Sequence, residues 1–260
     1  MIDTHCHILP MCDDGPDHWK QSLEMAKEAV RQGITEIVAT PHHLKGSYLN
    51  QADKIVQLVD QLNDRLVEEE IALTVYAGQE LHVSDKAMKA SDADAYRTLG
   101  WGRYILIELP SRDTPKRLFE TVRKLQACGL TPIIAHPERH LPFIKMPERL
   151  DEWINKGVLF QLTAPSVVGH FGVEVKEAAL AMARQRRVHL LGSDAHDTYA
   201  RGFRLEEAFR VLEAETSVGE TKKLQENAYK VVHGQFVEYE GLPPPRKSKP
   251  WWSFSPRAFK

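Results

Sequence analysis

Seven short apolar runs punctuate the chain, and six of them deliver a histidine or a carboxylate at or just past their C-terminal end. The runs cover residues 1–4, 34–40, 74–77, 104–109, 131–135, 158–162 and 188–191. His5 and His7 follow the first, His42 the second and Glu80 the third. Glu108 stands near the end of the fourth, His136 closes the fifth, and Asp194 and His196 follow the seventh. Few folds gather the same end of successive strands in one place. Parallel strands joined by right-handed helical crossovers do so.

Helical patterns fill the gaps between the runs. Trp19, Leu23, Ala26 and Val30 share one helical face, with Asp17 expected as the N-cap and Gly33 as the left-handed stop. Ile55, Leu58, Val59, Leu62 and Leu66 form a second stripe, and Leu118, Val122 and Leu125 a third that ends at Gly129. Residues 174–187 and 205–214 are read as further helices. No Gly-rich phosphate loop follows the first run, which disfavours an open dinucleotide-binding sheet. The expected fold is therefore α/β: a distorted seven-stranded (β/α) barrel of the TIM-like type, which suits a chain of 260 residues.

In such barrels the C-terminal rim carries the chemistry. Five imidazoles and three carboxylates at one rim form the ligand set of Zn²⁺, Mn²⁺ or Fe²⁺. In His5-Cys6-His7, alternate residues of an extended chain point to the same side, so both imidazoles can face one ion while Cys6 packs into the wall. Asp194-Ala195-His196 repeats that spacing. Any one of these histidines could be a satisfied core residue, but eight such positions in order, five histidines and three carboxylates, are read as a metal centre. The remaining histidines, His82, His43 and His140 among them, match no motif and are read as surface or supporting residues.

Charge and cysteine content narrow the partners. Five basic residues and no acidic ones follow Glu240; the other 29 basic residues face 36 acidic ones, so residues 1–242 carry a net −7. An acidic body is a poor match for the phosphate backbone, and no nucleic-acid partner is expected. Residues 1–242 are read as one domain and residues 243–260 as a basic, aromatic, proline-rich tail. The tail's Trp251, Trp252, Phe254 and Phe259 among five cations suit either a loose terminus or peripheral contact with an anionic membrane. No run of about 18 apolar residues and no signal peptide is seen, so the expected location is the cytoplasm, with the tail at the inner face of the membrane. Cysteine-phosphatase chemistry needs Arg six positions after Cys; Cys12, His18 and Ile134 stand there instead.

The motifs carry a resemblance. Asp-Thr-His-Cys-His (3–7), Thr-Pro-His (40–42), Gly-Gln-Glu (78–80), Ala-His-Pro-Glu-Arg (135–139) and Ser-Asp-Ala-His (193–196) resemble the metal-binding motifs of the polymerase and histidinol phosphatase (PHP) family. His-Ile-Leu-Pro before Asp-Asp-Gly-Pro (13–16), and Ser-Asp-Ala-His followed by Arg201, are similar to its manganese-dependent protein-tyrosine phosphatases of the CpsB/YwqE type. The resemblance implies one ion on His5, His7 and Asp194, and a second on Glu108 and His136, with Glu80 bridging. A third would lie on His42 and His196, with Asp14 where many relatives carry a histidine. Arg139 and Arg201 would bind phosphate. Two or three ions are implied, Mn²⁺ first, with Fe, Zn or Co admitted by the same donors. The implied reaction is hydrolysis of phosphotyrosine by a metal-bound hydroxide, on a bacterial tyrosine kinase regulating capsule or exopolysaccharide synthesis. The rivals are a histidinol-phosphate phosphatase or other small-molecule PHP phosphoesterase, and a metal-stabilised interaction protein.

Overall fold

The structure is a computed structural model that describes residues 1–83 and 96–238, so the expectations for the tail lie outside the described residues. Among the described residues the strand segments number nine: β1 (Ile2–Cys6), β2 (Glu36–Ala39), β3 (His42–His43), β4 (Thr74–Ala77), β5 (Glu80–His82), β6 (Tyr104–Glu108), β7 (Thr131–Ala135), β8 (Leu159–Thr163) and β9 (Leu190–Gly192). All pair in parallel, in a three-stranded sheet ordered β1-β2-β4 and a six-stranded sheet ordered β3-β5-β6-β7-β8-β9.

Nine segments stand where seven strands were expected because two runs are interrupted. Between β2 and β3 lies Pro41, which has no N–H to give to a ladder. Between β4 and β5 lies Gly78, where a Cβ would come within 2.6 Å of Val38 Cγ1. The first half of each interrupted run belongs to the small sheet and the second half to the large one. The far edges of the two sheets meet as well. Cys6 and Ala195 form an isolated parallel bridge, the Asp194 N–H donates to His5 O at 2.8 Å, and the His7 N–H donates to Ala195 O at 2.8 Å. Gly192 permits this approach: a Cβ there would meet His5 Cβ at 2.7 Å.

Strand alternation places the site. On β6, Ile105 and Ile107 join the large core cluster with residues of the covering helices, whereas Tyr104 and Leu106 enter a smaller cluster with Val38, Ile133, Leu159 and Leu190. Glu108 continues the second series by the two-residue period of a strand. Val231 and Val232 of helix α9 (Val218–Val232) seal the opposite end of this cluster, where the Tyr104 hydroxyl donates to Gln235 O and accepts from the Val237 N–H, both at 2.9 Å. The inner face thus runs from an apolar floor to a polar rim. Burying each large floor side chain stabilises the fold by about 1.5–3 kcal/mol.

The remaining α-helices among the described residues are α1 (Trp19–Arg31), α2 (Ala52–Glu68), α3 (Leu118–Ala127), the short α4 (Leu141–Lys145), α5 (Arg149–Ile154) and α6 (Ala164–Val168), then α7 (Val173–Arg184) and α8 (Leu205–Glu215). The N-cap of α1 is His18 and not Asp17: His18 Nδ1 accepts from the Gln21 N–H at 3.4 Å, while the Asp17 N–H is drawn to Gln21 Oε1. Gly33 ends α1 with φ +78°, as its position predicts. No helix among the described residues is long and apolar enough to cross a membrane.

Candidate metal centre

His5 and Glu108 lie at the ends of β1 and β6, His7, His136, Asp194 and His196 on the segments that follow strands, and His42 and Glu80 open β3 and β5 just past the breaks at Pro41 and Gly78; the eight approach one another in a buried patch. His5 Nε2 and His7 Nε2 are 3.2 Å apart. Asp194 Oδ1 stands 3.3 Å from the first and 3.4 Å from the second, and the Glu80 oxygens stand 3.5 Å from each. His136 Nε2 is 3.0 Å from Glu80 Oε1 and 3.9 Å from Glu108 Oε1. His42 turns Nδ1 to Glu80 Oε2 at 2.7 Å and Nε2 to Asp14 Oδ1 at 3.5 Å, and His196 Nε2 is 3.2 Å from Asp14 Oδ1. Among the described residues three groups have ligand atoms within 4.8 Å of one another: His5, His7 and Glu80; His42, Glu80 and Glu108; and His7, Asp14, His42 and His196.

These groups fit divalent ions on their own chemistry. His42 Nδ1 and Glu80 Oε2 approach closely without hydrogen-bond geometry, and both atoms, with His196 Nε2, are buried without a hydrogen-bond partner. Buried lone pairs left in this way are costly unless a cation meets them. Electrostatics point the same way. Burial pushes the Glu80 carboxyl up, yet His5, His42 and His136 hold it well below the usual carboxylate range. Asp194 is likewise lowered against its burial, by Arg139 and His5. Burial disfavours the His7 imidazolium, but the Asp13 carboxylate raises it well above the ordinary value. His196 is pushed down to about 4, by burial and by the neighbouring His7. Surroundings that favour anionic carboxylates favour cations among them.

Two ligands are held in unusual backbone. His136 has φ +37° and Asp194 φ +55°, each in the left-handed region where a residue with a Cβ is strained. Both follow the last residue of a strand by one or two positions, where the chain turns away from the rim.

The arginines flank the patch. Arg139 Nη2 donates to Asp194 Oδ2 at 2.6 Å, and Arg201 Nη1 donates to Asp14 Oδ2 at 2.8 Å. Asp14 is held well below its usual value despite burial, by His196 and Arg201.

Several contributors were not read from the sequence. Asp13 Oδ2 pairs with His7 Nδ1 at 2.7 Å and accepts the His42 N–H at 2.8 Å, fixing two ligands at once; its carboxyl falls to about 2, opposed by burial but lowered by His7. Gln161 Oε1 lies 2.8 Å from His5 Nδ1 and orients that ring from β8. Asp3 accepts from the Ser193 N–H at 2.9 Å and from the His5 N–H at 3.2 Å. Lys45 Nζ reaches Glu108 Oε1 at 2.8 Å and His42 Nε2 at 2.9 Å. His82 Nδ1, read earlier only as surface or supporting, contacts Glu108 Oε2 at 3.2 Å. Asp13 beside Asp14 was the one visible signal. Gln161 and His82 act across neighbouring strands and leave no local pattern. Cys6 is fully buried, its thiol donating to Ala195 O at 3.6 Å.

The sequence matches the capsular polysaccharide synthesis family CpsB/CapC over residues 1–233. Tyrosine-protein phosphatase YwqE of Bacillus subtilis (strain 168) is 38% identical over 254 residues, spanning 98% of this chain and 100% of that protein. The putative tyrosine-protein phosphatase CapC of Staphylococcus aureus is 32% identical over 97% of this chain and 99% of its own length. Among solved structures, one from a study of B. subtilis YwqE and Streptococcus pneumoniae CpsB, described as metal-dependent tyrosine phosphatases, superposes with a TM-score of 0.87. It is 38% identical to this chain and covers 95% of it and 100% of itself.

Proposed function

Because the chain belongs to the CpsB/CapC capsular polysaccharide synthesis family, we propose that it is a metal-dependent protein-tyrosine phosphatase. Its client in this reading is a bacterial tyrosine kinase that controls capsule or exopolysaccharide synthesis. The observation that carries the reading is the convergence of five imidazoles and four carboxylates on one patch, with a guanidinium at each of two edges. Similarity to tyrosine phosphatases along nearly the whole chain favours it over a histidinol-phosphate phosphatase.

We assign one ion to His5, His7 and Asp194, and a second to Glu108 and His136, with Glu80 shared. His42, His196 and Asp14 take a third. The donors suit Mn²⁺, and Fe, Zn or Co in its place. Bound divalent ions supply Lewis acidity toward phosphate and bring the pKa of water near neutrality. Arg139 and Arg201 bind the phosphate oxygens, since a guanidinium fork matches two of them at once. Asp13 and Gln161 hold the His7 and His5 rings in one orientation, so the ligand atoms face the patch before substrate arrives. The tyrosyl leaving group has a pKa near ~10 and departs with little need of a proton donor.

The two sheets form one distorted seven-stranded (β/α) barrel in this reading, with β2/β3 and β4/β5 each a single broken strand. Residues 1–242 make the phosphatase domain. The tail, residues 243–260, gives the cytoplasmic enzyme a peripheral contact with the inner membrane face. Phosphate release from a phosphotyrosine peptide and from histidinol phosphate, with Mn²⁺ and then EDTA, tests the assignment. Chelator-sensitive turnover of the peptide well above histidinol phosphate is expected; the reverse preference, or no release, would reject it.

A further inference from the structure

One aromatic ring rests against a phosphate-facing arginine and has no part in holding ions. Phe171 sits on the turn between α6 and α7, between Gly169 (φ +93°) and Gly172 (φ +95°). Its ring centroid is 5.1 Å from Arg139 Cζ, and that guanidinium donates to Asp194. The rim of the candidate site is therefore continuous from Asp194 through Arg139 to Phe171. The ring also meets the His170 ring at 5.3 Å in edge geometry, yet Phe171 keeps 36% of its surface exposed. A buried aromatic would be core, and a fully exposed one decoration. This ring is packed on a guanidinium that touches a ligand of the site, and it remains partly open to solvent.

The position suits one kind of occupant. A phosphate held by Arg139 would lie one side chain away from the Phe171 ring. An aryl ester of that phosphate would bring a second ring toward Phe171, and aromatic pairs attract at centroid separations of about 4.5–7 Å. A seryl or other alkyl ester has no ring to place there. Resting on the phosphatase reading, we propose that Phe171 is a specificity-determining residue that recognises the tyrosyl ring of a phosphotyrosine substrate, with Arg139 as the hinge between ring and phosphate recognition.

The test compares wild type, Phe171→Ala and Phe171→Leu in the Mn²⁺-loaded full chain on a phosphotyrosine peptide and the matching phosphoserine peptide. Tyr199→Ala serves as control, since Tyr199 is 86% exposed and lies near Arg201 in the chain. Phe171→Ala should raise KM for the phosphotyrosine peptide about fivefold to tenfold with kcat within about twofold, and leave phosphoserine turnover unchanged. Phe171→Leu should lie between, because it keeps apolar area without a ring. Binding of a non-hydrolysable phosphonate analogue of the tyrosine peptide, by fluorescence anisotropy, should weaken in parallel. An unchanged KM, equal effects on the two esters, or the same loss in Tyr199→Ala would overturn the role of Phe171 and leave the phosphatase reading intact. Absence of wild-type turnover would instead reject that reading, and this inference with it.

Discussion

The inner and outer parts of the site are built differently. His5, His7 and Glu80 are fully buried, and each is held by a neighbour: Gln161 of β8 against His5, Asp13 of the loop after β1 against His7, and His136, just past β7, against Glu80. At the outer edge, Asp14 and Arg201 retain 42% and 34% side-chain exposure and pair with each other at 2.8 Å. A buried ligand supported from behind is placed before any ion binds. A half-exposed ion pair on two loops is screened by water and contributes little rigidity. The inner group is thus a fixed cradle, and the outer group is adjustable.

Substitutions can break this contrast, beginning with the largest effect. Glu80→Gln should reduce phosphotyrosine turnover about 10³-fold or more, since losing a shared ligand removes several kcal/mol of transition-state stabilisation. Steady-state kinetics and metal content by mass spectrometry would check it. Asp13→Asn should lower metal affinity or activity about 10- to 100-fold although Asp13 is not an assigned ligand. An equal effect of Asp14→Asn would erase the distinction between cradle and edge. We expect Asp14→Asn to cost about tenfold or less, with one ion fewer per chain by mass spectrometry.

The smallest effect concerns the end of the strands away from the rim. His189 accepts the Phe160 N–H at 3.1 Å, and burial pushes its pKa down to about 3. The unfolded chain then binds a proton that the folded chain refuses between pH ~6.5 and ~3. Stability is full above that window and falls as pH drops through it. Between pH 7.5 and 5.0 the wild type should lose about 2 kcal/mol more than His189→Gln in urea unfolding. Performed with EDTA present, this separates acid lability of the floor from proton competition at the rim.

Much of this was legible in the chain because strand ends announce themselves: an apolar run that stops at histidine or glutamate carries both its element and its ligand. Asp17 misled because Asp is a good cap by type, while the local chain gives that place to His18. The interruptions at Pro41 and Gly78 were invisible as sheet boundaries, since an apolar run reads the same whether one sheet or two receives it. Gln161 and Lys45 could not be found, because their roles depend on which strand or loop lies alongside. Helix α9 was also missed, although its Ser217 side chain accepts the Glu220 N–H as a cap.

His136 and Asp194 both stand at positive φ, where a side chain with a Cβ costs about 1–2 kcal/mol relative to glycine. Replacing either by glycine and by alanine removes the same ligand, so the pair of variants isolates the backbone. Thermal melts should place Asp194→Gly above Asp194→Ala, and His136→Gly above His136→Ala. Selection for durability alone would therefore favour glycine at these two residues. Their retention would be a record of continuing use, and their drift to glycine a mark of a descendant that has outlived its reaction.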